Sequence, residues 1–254
     1  MKMTNKFIAL LMAMILVAGV LVSCEQPSAE PLQSSIYKAT IEISFENDDA
    51  DLQAAIDAIS SSKSTIYVNG DDMKIETSTA MDKISVTDKY TYFGGTLYHE
   101  SRVSVDGKES VVLEKASLTK ENREQLVSDV GAGASIDPVD FNIQEKEGEG
   151  GNYTYNCSRI TGKAKDSLQA IFAAKFNGFN ATVELTGAEY TLKVENDRNE
   201  SSILCCHFSI AMNGKTYNLT MNIKTDYDYD AVFGISAPAG SSSYNQVSYS
   251  EIIR

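Results

Sequence analysis

Ile66-Tyr67-Val68-Asn69-Gly70-Asp71-Asp72-Met73-Lys74-Ile75-Glu76 places two short alternating runs on either side of an Asn-Gly connection. Alternation of apolar and polar side chains turns one strand face to a core and the other to water, and Asn-Gly supplies the positive φ that a tight hairpin needs. The stretch therefore predicts an antiparallel hairpin, with strands at Thr65 to Val68 and Met73 to Thr77. The same grammar continues downstream through Lys83 to Thr87, Tyr90 to Phe93, Gly94-Gly95, Thr96 to Val103, Asp106-Gly107 and Ser110 to Glu114. Together these segments predict a meander.

Upstream, Ile36, Ala39, Ile41, Ile43 and Phe45 mark a half-buried strand from Ile36 to Phe45. Asp48 and Asp49 offer an N-cap for a helix with Leu52, Ala55, Ile56 and Ile59 on one stripe, which the Ser60-Ser61-Ser62 run ends. A second helix is predicted from Thr119 to Val130, with Gly131 as its stop, and the charged stretch Glu145 to Gly151 reads as a turn. A strand from Tyr153 to Ile160, a helix from Lys165 to Phe176 and strands at Ala181 to Leu185, Tyr190 to Glu195, Ile203 to Met212 and Tyr217 to Lys224 follow. The expected class is α+β, an antiparallel sheet with two or three helices. Asp51-Leu52-Gln53-Ala54 and Asp166-Ser167-Leu168-Gln169-Ala170 open two of those helices, so two readings stay open: related halves at 36–130 and 139–254, or common helix vocabulary in a frequent order.

The chain begins with Lys2, Lys6 and sixteen apolar or small residues from Phe7 to Val22, closed by Leu21-Val22-Ser23-Cys24. A charged start, a short apolar run and a small residue before a cysteine resemble the bacterial lipobox, which implies a signal peptide at 1–23 and acylation of Cys24. The run is shorter than the roughly 20 residues that span a bilayer. Residues 24–35, rich in Pro, Ser, Gln and Glu, read as a lipidated cysteine and tether, and 36–254 as a single domain. The expected location is extracytoplasmic, on a cell membrane or outer membrane through the anchor.

Lys2 and Lys6 are the only charged residues before Cys24, so beyond it 20 of the chain's 22 basic side chains face all 35 acidic ones, a net charge of −15. Such a field repels nucleic acid and anionic headgroups. Cys157, Cys205 and Cys206 remain as thiols; one disulfide or three buried small side chains both fit, and neighbouring strand residues point to opposite faces, so only one of the adjacent pair faces Cys157 easily. Cys205, His207 and Cys157 lack the spacing of zinc modules, and Asp226, Asp228 and Asp230 lack the Gly and Glu of a calcium loop, so no metal and no cofactor is expected. Neither His99 nor His207 sits in a Gly-x-Ser-x-Gly or His-Glu-x-x-His motif, and the chain reads as a non-enzyme.

Ile66 to Glu76, Tyr92-Phe93-Gly94-Gly95-Thr96-Leu97-Tyr98, and Phe233-Gly234-Ile235-Ser236-Ala237-Pro238 with Tyr244-Asn245-Gln246-Val247 give the chain a pattern similar to the lipoprotein-carrier superfamily, the LolA-like and LppX-like exported proteins. The resemblance implies an open half-barrel of curved antiparallel sheet, helices on its concave face, and lipid or acylated cargo between them. The lining expected there is Leu52, Ile56, Ile59, Leu168, Ile171, Phe172 and Phe176. The alternative is a surface interaction lipoprotein with a filled core and a protein partner. A hydrolase using paired carboxylates, which have no fixed spacing, is a third reading.

Overall fold

A computed structural model of the chain describes residues 36–47, 59–81, 83–119, 136, 138–176, 181–212 and 214–252. The chain builds strands β1 (Ile36–Glu46), β2 (Ile59–Asn69), β3 (Asp72–Met81), β4 (Ile84–Phe93), β5 (Thr96–Val105), β6 (Lys108–Ser117), β7 (Phe141–Glu149) and β8 (Asn152–Ile160). Helix α1 (Gly162–Phe176) follows, then β9 (Ala181–Glu195), β10 (Arg198–Met212), β11 (Lys215–Asp228), β12 (Asn245–Gln246) and a single turn, α2 (Tyr249–Ile252). The described strands form one sheet in the order β12-β6-β5-β4-β3-β2-β1-β11-β10-β9-β8-β7. Two antiparallel meanders, β1 to β6 and β7 to β11, thus meet where β1 pairs with β11, Ile43 opposite Ile223 and Phe45 opposite Met221.

The α+β expectation is corrected here. Among the described residues one helix of 15 residues and one short turn accompany a sheet of twelve strands, so helices do not form a layer over it. Part of the cause is strand length. Lys83 to Thr87 and Tyr90 to Phe93 are one strand, as are Ala181 to Leu185 and Tyr190 to Glu195, where Thr186-Gly187 interrupts the apolar rhythm and the register shifts between His207 and Phe208 opposite. Glu145 to Glu149, expected in a turn, belongs to β7, whose charged side chains stand exposed on a sheet edge and resist pairing with another chain. Ser60-Ser61-Ser62 lies in β2, at a register shift between Ser60 and Lys63. The helices expected over Asp48 to Ile59 and Thr119 to Val130 otherwise fall outside the described residues, as does the lipobox.

Hairpin chemistry sets the register. Gly94 and Gly95, at φ 58° and 82°, supply the two positive values of a primed turn, and Asn196-Asp197, at 52° and 60°, does the same without glycine because short polar side chains tolerate this region. Alternation then fills one face, here called inner, with Ile41 and Ile43 of β1, Met221 and Ile223 of β11, and Leu204, Phe208 and Ile210 of β10. Burying one such side chain contributes roughly 1.5–3 kcal/mol.

Helix α1 lies on β9, burying Leu168 completely and Ala164 nearly so. β8 pairs with β9 only from Glu189 to Val194, which leaves the first part of β9 without a strand on that side. Gln169 takes the strand's place: its Nε2 donates to the Val183 carbonyl at 2.7 Å, and the Leu185 N–H donates to its Oε1 at 2.6 Å.

The C-terminal segment belts the opposite, outer face of β2 to β6. Phe233 packs on Tyr67 at 5.2 Å, the Tyr244 ring meets Tyr98 at 5.9 Å, and Lys115 Nζ donates to the Ser241 carbonyl at 2.9 Å. β12 then pairs in parallel with the edge of β6, and Ile252 tucks round that edge against Leu97 and Ala116 on the inner face.

Candidate functional site

Directly opposed residues run across the inner face as Ala39, Ile66, Ile75, Tyr90, His99 and Glu114, one from each of β1 to β6. The neighbouring row runs Ile41, Ser64, Thr77, Asp88, Ser101 and Val112. Both rows start in the apolar core and become polar towards β4 and β5. Along these rows the inner face passes from greasy at the centre of the sheet to polar at β4 and β5, whereas the next row, Tyr37, Val68, Met73, Tyr92, Leu97 and Ala116, stays apolar as far as β6.

His99 is the centre of the polar end. Its Nε2 lies 3.4 Å from Asp88 Oδ1 and its Nδ1 3.5 Å from Glu114 Oε2, while the Tyr90 ring stacks on it with centroids 4.5 Å apart and planes 9° from parallel. The His99 side chain is 11% exposed, against 20% for Asp88 and 25% for Glu114. Burial pushes the Asp88 carboxyl up, but hydrogen bonds from His99 and Ser101 and the imidazole's charge outweigh it, and the group sits below its ordinary value. Burial, then the charges of Asp88 and Glu114, pushes the Tyr90 phenol up to about 12. Beside this cluster Ser64 and Thr77 hydrogen-bond each other at 3.1 Å.

Both imidazole nitrogens thus face carboxylates, and the nearby Ser101 hydroxyl bonds the acid rather than the imidazole. The cluster offers a partly desolvated mixture of donors and acceptors, suited to a polar end group. It lacks the nucleophile-to-base contact of acyl-transfer chemistry.

The expected lining is only partly described. Cys24, Leu52 and Ile56 lie outside the described residues; Ile59 opens β2 opposite Met81; Ile171, Phe172 and Phe176 belong to α1, with only their backbone described. Leu168 is fully buried in the core beside β9. The structure therefore sets the α1 residues over β9 and Ile59 on β2, with β10, β11 and β1 between them in the sheet.

None of the three described cysteines is in a disulfide. Cys157 and Cys206 share the inner face, but β9 lies between their strands, which puts them about two strand spacings, roughly 10 Å, apart, beyond the reach of a disulfide. Cys205 points to the other face. Asp226 is held by Lys224 at 2.7 Å and Asp228 accepts from the Asp230 N–H at 3.1 Å, while the stacked rings of Tyr227 and Tyr229 both pack tilted against Tyr37.

Among the described residues, cavities lie elsewhere. One of about 250 Å³ lies between the belt and the outer face, with Lys74, Lys89, Tyr98 and Glu100 in its wall; another of about 330 Å³ opens beside Tyr153 and Lys193 at the β8–β9 end. No helix among the described residues is long and apolar enough to cross a membrane.

Sequence reading missed Asp88, Tyr90 and Glu114 as partners of His99. The signal was present: a two-residue turn at Gly94-Gly95 places Tyr90 opposite His99, and Asp106-Gly107 places His99 opposite Glu114.

No family model matches the chain, and no curated protein matches it. Among solved structures it is similar to an inactive mutant of CurJ dehydratase in complex with a small compound, at 10% identity over 87% of this chain and 82% of that one. The TM-score of 0.13 gives that likeness no weight for fold or activity.

Proposed function

We propose that the protein is a lipid-anchored extracytoplasmic binding module whose guest is hydrophobic with a polar end, lipid or an acylated molecule, held against the inner face of the sheet. The observation that carries this reading is the graded row from Ala39 through Ile75 to His99 and Glu114. A hydrocarbon tail transferred to such a face gains about 0.8 kcal/mol per methylene, and its head group finds hydrogen-bonding partners around His99. The lipobox around Cys24 supports the anchoring, and the likeness to the lipoprotein-carrier superfamily supports the choice of guest.

The experiment is organic extraction of a Cys24→Ser form purified without detergent, followed by mass spectrometry. A bound lipid near one per chain is expected. Repeated recovery of a folded, lipid-free protein would overturn the reading. That outcome would favour a surface interaction protein with a filled core, a reading supported by the complete burial of Leu168, Ile210 and Met221.

A further inference from the structure

On the outer face, away from the inner row, Glu189 of β9 stands directly opposite Cys205 of β10, and His207 follows two residues along on the same face. One ligand atom from each of the three lies within 4.8 Å of the others. We propose that Glu189, Cys205 and His207 form a binding site for a borderline divalent cation of the zinc class, with a fourth position open to solvent.

The geometry fits the ion. Zinc holds sulfur at about 2.3 Å and imidazole nitrogen at about 2.0–2.1 Å, so a tetrahedral centre needs a sulfur-to-nitrogen edge of about 3.6 Å. Cys205 Sγ and His207 Nε2 are 3.8 Å apart. The other imidazole nitrogen, Nδ1, lies 3.2 Å from Thr220 Oγ1 on β11, so a hydroxyl partner orients the ring and leaves Nε2 aimed at the thiol. Opposite His207 stands Gly187, where an added Cβ would come within 3.8 Å of the imidazole Cδ2, so the ring lies over a position without a side chain.

The surroundings also favour a cation. Asn222, opposite Cys205 on β11, donates to Glu46 Oε1 at 3.2 Å, which brings a second carboxylate to the neighbourhood of the site. Cys205 and His207 are half-buried and Glu189 is exposed, so the site is open to an ion from solution. Three different ligand types on two adjoining fifteen-residue strands give a fixed framework rather than a loose acidic surface. Binding breaks the Cys205 S–H bond, forms the metal–sulfur bond and sends the proton to bulk water. Sulfur and imidazole together favour zinc-class ions over calcium or magnesium, which take oxygen.

Titrating the purified full-length protein with Co²⁺ tests the assignment. One equivalent should give the thiolate-to-cobalt charge-transfer band with the intense visible bands of a tetrahedral site, and Zn²⁺ should displace it one for one. Cys205→Ser should abolish the charge-transfer band. His207→Gln and Glu189→Gln should each weaken binding at least about tenfold, and Thr220→Val should weaken it about tenfold while keeping the band. Circular dichroism on each variant separates loss of the site from loss of the fold, and Cys157→Ala on the opposite face should leave the spectrum unchanged. Absence of a band at stoichiometric cobalt in the folded protein, or a band that survives Cys205→Ser, would overturn the proposal.

Discussion

Tyr90 lies flat on His99, ring centroids 4.5 Å apart and planes 9° from parallel, in the interior row that joins β4 to β5. The stack shields one face of the imidazole while Asp88 and Glu114 hold its nitrogens. Burial of the phenol, then the charges of Asp88 and Glu114, makes Tyr90 titrate late. A free tyrosine ionises near 10, whereas Tyr90 holds its proton up to about 12. Because the folded form binds this proton more tightly, the associated stability is present below pH about 10 and is lost as pH rises towards 12. Ultraviolet difference titration should show a late phenol step that Tyr90→Phe removes.

Asp88 predicts the acid side. Its folded carboxyl lies below the ordinary value, so its contribution is present above about pH 4, the unfolded value, and disappears as pH falls through the folded one. Asp88→Asn should lower stability by about 1–2 kcal/mol near neutrality and flatten the acid limb of the unfolding midpoint against pH. An unchanged acid limb would separate Asp88 from the His99 cluster.

Gln169 predicts a cost at the edge of β9. Gln169→Leu keeps a side chain of similar length but leaves the Val183 carbonyl and the Leu185 N–H without their partner. A loss of about 2 kcal/mol in urea unfolding is expected, with faster hydrogen exchange at the Leu185 amide. Equal stability would mean that water replaces the amide without penalty.

The belt predicts a different failure. Ile252 is buried against Leu97 and Ala116, and β12 covers part of the β6 edge. Ile252→Asp should release the last turn, speed exchange at the Val247 amide that donates to the Lys115 carbonyl, and promote self-association through the exposed edge. Light scattering as a function of concentration measures this.

Local signals made much of the sheet legible and its helices less so. Gly94-Gly95 and Asp106-Gly107 are turns as expected, and the alternation at Ile41, Ile43 and Phe45 marks a real strand. Strand length was hidden, because residues such as Asp88 in β4 and Thr186-Gly187 in β9 interrupt the apolar rhythm where tertiary pairing carries the strand through. The charges of β7 imitate a turn because an edge strand tolerates them. Long-range order, above all the pairing of β1 with β11 and the crossing of the belt, has no local signature. The His99 cluster was legible only by counting back from each turn, and Glu189 comes beside Cys205 only because β9 and β10 pair in this register.

The central claim concerns where a guest lies, and photo-crosslinking measures that directly. A fatty acid carrying a diazirine near its carboxyl end, bound to the detergent-free Cys24→Ser protein and mapped by peptide mass spectrometry, should label β4 to β6 around Tyr90, His99 and Glu114, and His99→Leu should weaken the labelling. Saturable labelling confined to the outer face or the belt, with the inner strands unmarked, would contradict the account.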